Sequence, residues 1–207
     1  METGTLRAIE KEKTSEDKAR YIFVKVYGIG PKKALELAKK GLTTIAQLRE
    51  RQDELLNDVQ KKGLRHYEDI LKRIPRSEVG EYEKVFRRSF NKVKQDGDEF
   101  EILGSYRRGK DTSGDVDYLL LGGDKVIEYF LAKLGKSEDI EIVGCFGQGK
   151  TQWQGVMRLK QCEEEIKFRH VDIFCYPREN FGYALLHSTG SGKFNVKCRK
   201  AAIEKGY

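Results

Sequence analysis

The sequence predicts an α+β protein, an all-helical first part followed by a mixed, partly antiparallel sheet. Three observations predict it. Short runs with helical spacing, broken at Gly28, Gly30, Gly41, Gly63 and Pro75, fill the chain to about residue 95. From Phe100 onward apolar residues come in stretches of strand length. Between them, a Gly104-Ser105 turn, two arginines and an Asp115-Val116-Asp117 triplet stand directly before one such apolar run.

In chain order, helices are expected over 16–26, 31–40, 44–50, 53–60, 64–73 and 76–95. Strands are expected over 100–103, Val116–Leu121, 140–143, 155–160 and 166–176, with an amphipathic helix over 125–134. Strand, helix and several further strands imply a sheet covered on one face. No repeat of solenoid period is evident.

Forty Lys and Arg against thirty-three Asp and Glu give +7, a balance that favours a polyanionic partner without proving one. With 35% of residues charged, much of that charge is simply solvated surface. Cys145, Cys162, Cys175 and Cys198 lie 13 to 23 residues apart with no Cys-x-x-Cys pair, so reduced thiols are expected and a structural zinc site is not. The charged segment 1–13 lacks the apolar centre of a signal peptide, and no run approaches membrane-spanning length. The expectation is a soluble, intracellular protein with no membrane partner.

Side chains alternate along a strand, so Asp115 and Asp117 face one side and can hold divalent metal together. The Gly-Ser turn and Arg107-Arg108 supply groups that a triphosphate needs. An Asp-x-Asp alone also fits a solvated strand edge; with these neighbours at this spacing it reads as a nucleotidyl-transfer site. Asp172 sits among alternating apolar residues, where an unpaired carboxylate is costly to bury and a neighbouring cation would relieve the cost. Taken singly it also fits an edge residue facing water. If its strand lies beside that of Asp115, three carboxylates converge, which suits two divalent ions about 4 Å apart.

Val26-Tyr27-Gly28-Ile29-Gly30-Pro31-Lys32-Lys33-Ala34 makes a tight turn feeding a helix N-terminus, with proline at a first helical position and two lysines beside it. It resembles a helix-hairpin-helix, a non-sequence-specific clamp on the DNA backbone. An ordinary connection between two helices has the same outline.

Together these blocks resemble the family X DNA polymerases, the group of polymerases beta, lambda and mu, terminal transferase and fungal polymerase IV. The resemblance runs almost end to end: Thr5-Leu6-Arg7, the hairpin, Arg73-Ile74-Pro75-Arg76, the block from Gly104 to Asp117, Val171-Asp172-Ile173, and Ser188-Thr189-Gly190-Ser191 with Phe194-Asn195. It implies a helix-hairpin-helix subdomain over 1–75, a nucleotidyltransferase palm over 76–178 and the start of a nucleotide-selecting thumb over 179–207. The lyase domain and most of the thumb are expected to be missing, as in an excised fragment or a natural minimal form.

The implied roles follow the family's motif. Asp115 and Asp117 would bind both of two Mg2+ or Mn2+ ions, and Asp172 the catalytic one, where it would also receive the primer proton. Ser105, Arg108, Ser113, Gly114 and, from the hinge, Arg73 would hold the triphosphate. Gly190 and Asn195 would border its sugar and base. Gly28, Gly30, Lys32, Lys33, Lys150, Arg169 and His170 would meet DNA, and the carbonyls of Val24, Val26 and Ile29 would coordinate Na+ or K+ against a DNA phosphate. The implied activity is templated addition of deoxynucleotides to a primer 3′-hydroxyl in gapped or nicked duplex DNA, by a monomer working with repair proteins, in the nucleus if the source is eukaryotic. A template-independent transferase and a non-catalytic DNA-binding fragment are the alternatives. His187-Ser188 stands where many relatives carry an aromatic pair that excludes a 2′-hydroxyl, so ribonucleotide insertion is expected, unless His187 merely packs and the backbone sets the choice.

Overall fold

The computed structural model describes residues 14–123, 125–160 and 167–207. Thr5-Leu6-Arg7 and Cys162 lie outside the described residues. The chain divides into two compact units, Met1–Tyr67 and Glu68–Tyr207.

In the first unit, α1 (Ser15–Phe23), α2 (Pro31–Lys39), α3 (Ile45–Glu50), α4 (Gln52–Leu55) and α5 (Asp58–Arg65) enclose a small core that includes Ala19, Phe23, Val26, Ile29, Leu37, Leu48 and Leu64. The single helix expected over 53–60 is two, because Asn57 opens a new one. Asn57 Oδ1 accepts from the Gln60 amide at 2.9 Å, while Gln60 Oε1 accepts from the Asn57 amide at 3.1 Å. Gly63 is not the break the sequence suggested. It lies inside α5, where a Cβ would come within 2.4 Å of the Tyr27 carbonyl, so its small size lets helix and hairpin touch. α6 (Tyr67–Leu71) follows, shorter than the expected 64–73.

The second unit continues with β1 (Ile74–Pro75), α7 (Arg76–Phe90), β2 (Glu99–Ile102), α8 (Gly104–Arg107), β3 (Thr112–Ser113), β4 (Val116–Leu121) and α9 (Val126–Leu134). It then runs through β5 (Ile140–Gln148), β6 (Gln152–Leu159), β7 (Arg169–Tyr176), α10 (Phe181–Thr189) and α11 (Gly192–Glu204). β1 pairs with β3. The main sheet has the order β2-β4-β7-β6-β5, antiparallel except for the β4–β7 pair. Val79, Tyr82, Val85, Phe86 and Phe90 recur at helical spacing and lay α7 on one face. There Phe86, Phe100, Tyr118 and Phe130 form an aromatic cluster, with Phe86 and Tyr118 centroids 4.5 Å apart.

The expectation of a sheet covered on one face is corrected here. Leu119 and Leu121 of β4 are as buried as Leu120, and on the second face they pack with Leu103 and with Ala184 of α10. A continuous leucine run, unlike alternation, marks a strand buried on both sides. α10 thus roofs the far end of the second face and leaves open the end where the acids lie.

Candidate active site

Parallel pairing of β4 with β7 sets Asp117 opposite Asp172, and β6 sets Gln154 opposite Asp172 on the other side. The alternation that sends Val116, Tyr118, Val171 and Ile173 into the aromatic core turns Asp117 and Asp172 to the second face. Asp115 precedes β4 by one residue rather than lying on it. It still converges: Asp115, Asp172 and His170 each bring one ligand atom within 4.8 Å of the others.

Asp117 sits deeper, against Gly104. The Gly104 φ is +59°, and a Cβ there would come within 2.0 Å of Asp117 Oδ2. The residue must be glycine on both counts. The Leu103 amide donates to the Asp117 carbonyl at 2.9 Å and fixes the entry to α8. Burial, then the charges of Asp115 and Asp172 and a hydrogen bond with Asp115, push the Asp117 carboxyl up to about 8, against the pull of Arg108. Burial also pushes Asp172 up; Asp115 adds to this, while His170 and Gln154 oppose it.

Asp172 is 9% exposed, and among the described residues no donor hydrogen-bonds its Oδ1. Crowded carboxylates with an unsatisfied buried acceptor fit a divalent cation held by hard oxygen donors.

An open cleft of about 660 Å³ lies before the acids, lined by Arg73, Gly104, Ser105, Arg108, Gly114, Asp115, Asp117, His187, Ser188, Gly190 and Asn195. Ser105 Oγ lies 2.9 Å from Ser113 Oγ. Ser113 itself is buried by the β1–β3 pairing and is absent from the cleft lining, so it reaches the cleft only through Ser105. Arg73 Nε donates to Thr112 Oγ1 at 3.2 Å. Arg108 Nη1 donates to the Thr189 carbonyl, and Asn195 Nδ2 donates to the His187 carbonyl at 2.8 Å. The Gly190–Ser191 peptide is cis.

Two expected DNA contacts are placed otherwise. Arg169 is 2% exposed and grips Glu78 through Nε at 2.6 Å and Nη2 at 2.8 Å. Its odd-numbered position on β7 points it inward with Val171, so it ties the sheet to α7. His170, on the even side, faces Asp172, its Nε2 3.3 Å from Asp172 Oδ1. Sequence reasoning missed both this placement and Gln154, although two-residue spacing from Asp172 already put His170 on the acid face. Lys150 is exposed in the turn between β5 and β6, outside the cleft.

In the first unit, Gly28 turns the hairpin at φ +82° and its carbonyl accepts from Gln60 Nε2 at 3.0 Å. Gly30 caps α2 without a side-chain hydrogen bond, and Pro31 is its first residue. The Ile29 amide donates to the Val26 carbonyl at 3.0 Å. Val26 and Ile29 are buried and Val24 is exposed. Lys33 pairs with Glu36 at 3.0 Å; Lys32 is exposed. Gln60, unremarked in the sequence, is the side chain that pins this turn.

A mixed sheet carrying three crowded aspartates before a cleft with a glycine-serine corner and arginines defines a nucleotidyltransferase palm. Comparison with known families agrees: residues 73–178 match the DNA polymerase beta palm and residues 21–71 the fingers domain of DNA polymerase lambda. The chain is 34% identical over 219 residues to DNA polymerase lambda of Arabidopsis thaliana, covering 99% of this chain and 40% of that protein. It is 32% identical over 214 residues to DNA polymerase lambda of Rattus norvegicus, covering all of this chain and 36% of that protein. It is 34% identical over 120 residues to the DNA polymerase type-X family protein pol4 of Schizosaccharomyces pombe, covering 57% of this chain and 23% of that one. The chain belongs to the family X DNA polymerases. It spans about 40% of the length of the Arabidopsis relative.

Proposed function

We propose that this chain is the catalytic part of a DNA-directed DNA polymerase that adds deoxynucleotides to a primer 3′-hydroxyl in short-gap repair or end joining. The observation that carries this reading is the convergence of Asp115, Asp117 and Asp172, the first two lining a cleft that Ser105 and Arg108 also line. The three aspartates would hold two divalent ions, Mg2+ or Mn2+. Bound there, such ions supply charge neutralisation at the triphosphate and a lowered pKa at the primer hydroxyl. Ser105, Arg108, Arg73 and the Gly114 amide hold the β- and γ-phosphates, with Ser113 orienting Ser105. Gly190, Asn195 and His187 border the sugar and base. Asp172 accepts the primer proton as the 3′-oxygen bonds to the α-phosphorus and pyrophosphate leaves. Catalysis is positioning and charge neutralisation, with no covalent enzyme intermediate.

The hairpin at Gly28 and Gly30, with Lys32, Lys33 and the open first-turn amides of α2, binds duplex backbone. The carbonyls of Val24, Val26 and Ile29 would take Na+ or K+ against that phosphate. Lys150 offers a further backbone contact. The protein acts as a monomer with other repair proteins in the nucleus. Among the described residues no helix is long and apolar enough to cross a membrane.

The test is primer extension with Mg2+ on a one-nucleotide gapped duplex and on a bare single strand, beside Asp115→Ala. Gap filling abolished in the variant is expected. Extension of the bare strand at an equal rate would favour the template-independent reading, and no extension with unaltered metal binding in Asp115→Ala would overturn catalysis here.

A further inference from the structure

The arrangement around His170 does not follow from a carboxylate-only site. β7 runs Arg169, His170, Val171, Asp172, and the alternation that buries Arg169 and Val171 brings His170 and Asp172 onto the same face two residues apart. The imidazole is held by its surroundings: its ring centroid lies 5.7 Å from that of buried Phe146 on β5, and 12% of the side chain is exposed.

His170 Nε2 and Asp172 Oδ1 are 3.3 Å apart, yet among the described residues no donor hydrogen-bonds Oδ1. Two donor atoms about 2.1 Å from one ion stand about 3.0 Å apart at a right angle and about 3.4 Å apart at the tetrahedral angle. The observed spacing suits neighbouring ligands on one ion as well as an ion pair between a protonated His170 and Asp172. Asp115 completes the set within 4.8 Å.

We propose that His170 is a nitrogen ligand of the divalent-ion site at Asp115 and Asp172, and that it biases the site toward transition ions such as Mn2+ and Co2+ over Mg2+. This rests on the reading of Asp115 and Asp172 as metal ligands made above. Mg2+ takes oxygen donors and keeps its waters, whereas an imidazole strengthens binding along the series Mn2+, Co2+, Zn2+. One histidine among carboxylates therefore changes which ion the site prefers without removing its capacity for Mg2+.

The test needs no turnover. Mn2+ alone is added to the protein without nucleic acid, and electron–nuclear spectra are recorded on wild type, on protein carrying 15N-histidine, and on His170→Gln and His187→Gln. A directly bound imidazole gives a nitrogen coupling that changes isotope with the label, survives in His187→Gln and vanishes in His170→Gln. Calorimetry should show His170→Gln losing about tenfold or more in Mn2+ affinity with Mg2+ changed less than about threefold. Absence of a histidine coupling in wild type overturns the proposal whether or not the variant folds. So does an equal loss for both ions, which would make His170 a residue that merely orients Asp172. Asp115→Asn and Asp172→Asn separate the two readings. If both bind Mg2+ and Mn2+ like wild type, the metal site itself is misassigned; if both lose the ions while no histidine coupling is seen, only the role of His170 falls.

Discussion

Replacing Asp117 by asparagine is expected to stabilise the metal-free protein while weakening its response to metal. The Asp117 carboxyl is pushed from 3.8 to about 8 by burial and by Asp115 and Asp172. Because the folded value is the higher one, the native state holds a proton that the unfolded chain has lost between about pH 4 and pH 8. Native stability from this group therefore falls as pH rises through that window, and the loss is complete above it. Four units at about 1.4 kcal/mol each set a ceiling near 5–6 kcal/mol. Water in the open cleft screens the charges and brings the expected effect to about 1–3 kcal/mol. Asparagine keeps the shape and cannot ionise, so in EDTA the variant should exceed wild type by that margin at pH 8 and draw level toward pH 4. The chain's one tryptophan, Trp153, is buried in β6 and reports unfolding of the second unit alone in a urea titration. Added Mn2+ should then raise wild type by more than it raises the variant, which keeps Asp115, Asp172 and His170 but loses one carboxylate. A variant no more stable than wild type at pH 8, or a gap that does not change with pH, would refute the reasoning.

Gly104→Ala places a methyl within 2.0 Å of Asp117 Oδ2 at positive φ, and the same fluorescence should record a loss of about 2–4 kcal/mol. Arg169→Met leaves the largely buried Glu78 without its partner and should cost about 3–5 kcal/mol, whereas Arg169→Met with Glu78→Leu should recover most of it; no recovery would mean that the pair with Glu78 is not what makes Arg169 matter to the fold. Gly63→Ala crowds the Tyr27 carbonyl and should cost the first unit about 1–3 kcal/mol, seen in amide exchange there and in weaker duplex binding while Trp153 unfolding stays unchanged. With His187 and Ser188 lining the cleft, insertion of ribonucleoside triphosphates should be measurable, and a deoxy preference above about a thousandfold would mean that the backbone sets sugar selectivity.

Much of the fold was legible because its signals are local. The boundaries of β4 follow directly from its apolar run, and proline at a first helical position marked the start of α2. The Asn57 and Gln60 capping box is equally local, and it divides a run that helical spacing alone joins into one helix. Partners far apart in sequence were not legible: nothing near Arg169 points to Glu78, 91 positions earlier. Gly63 shows the same limit, since a glycine that breaks a helix and a glycine that admits a neighbouring backbone look alike until the neighbour is in place.

β7 makes the sharpest case, because its parity was in the sequence and settles three residues at once. If Val171 and Ile173 face the core, Arg169 must face it too, and His170 must join Asp172. Arg169 and His170 cannot both meet DNA from this strand, because adjacent strand residues point to opposite faces. The same parity explains how the strand pair tolerates its acids. Crowding Asp115, Asp117 and Asp172 costs stability in the metal-free protein, and it does so on one face only. The opposite face of the same two strands buries Val116, Tyr118, Leu120, Val171, Ile173 and Cys175 in the largest apolar cluster among the described residues. Each strand thus carries its own compensation one residue away, so substitutions on the acid face should shift metal binding and pH response while the sheet stays assembled.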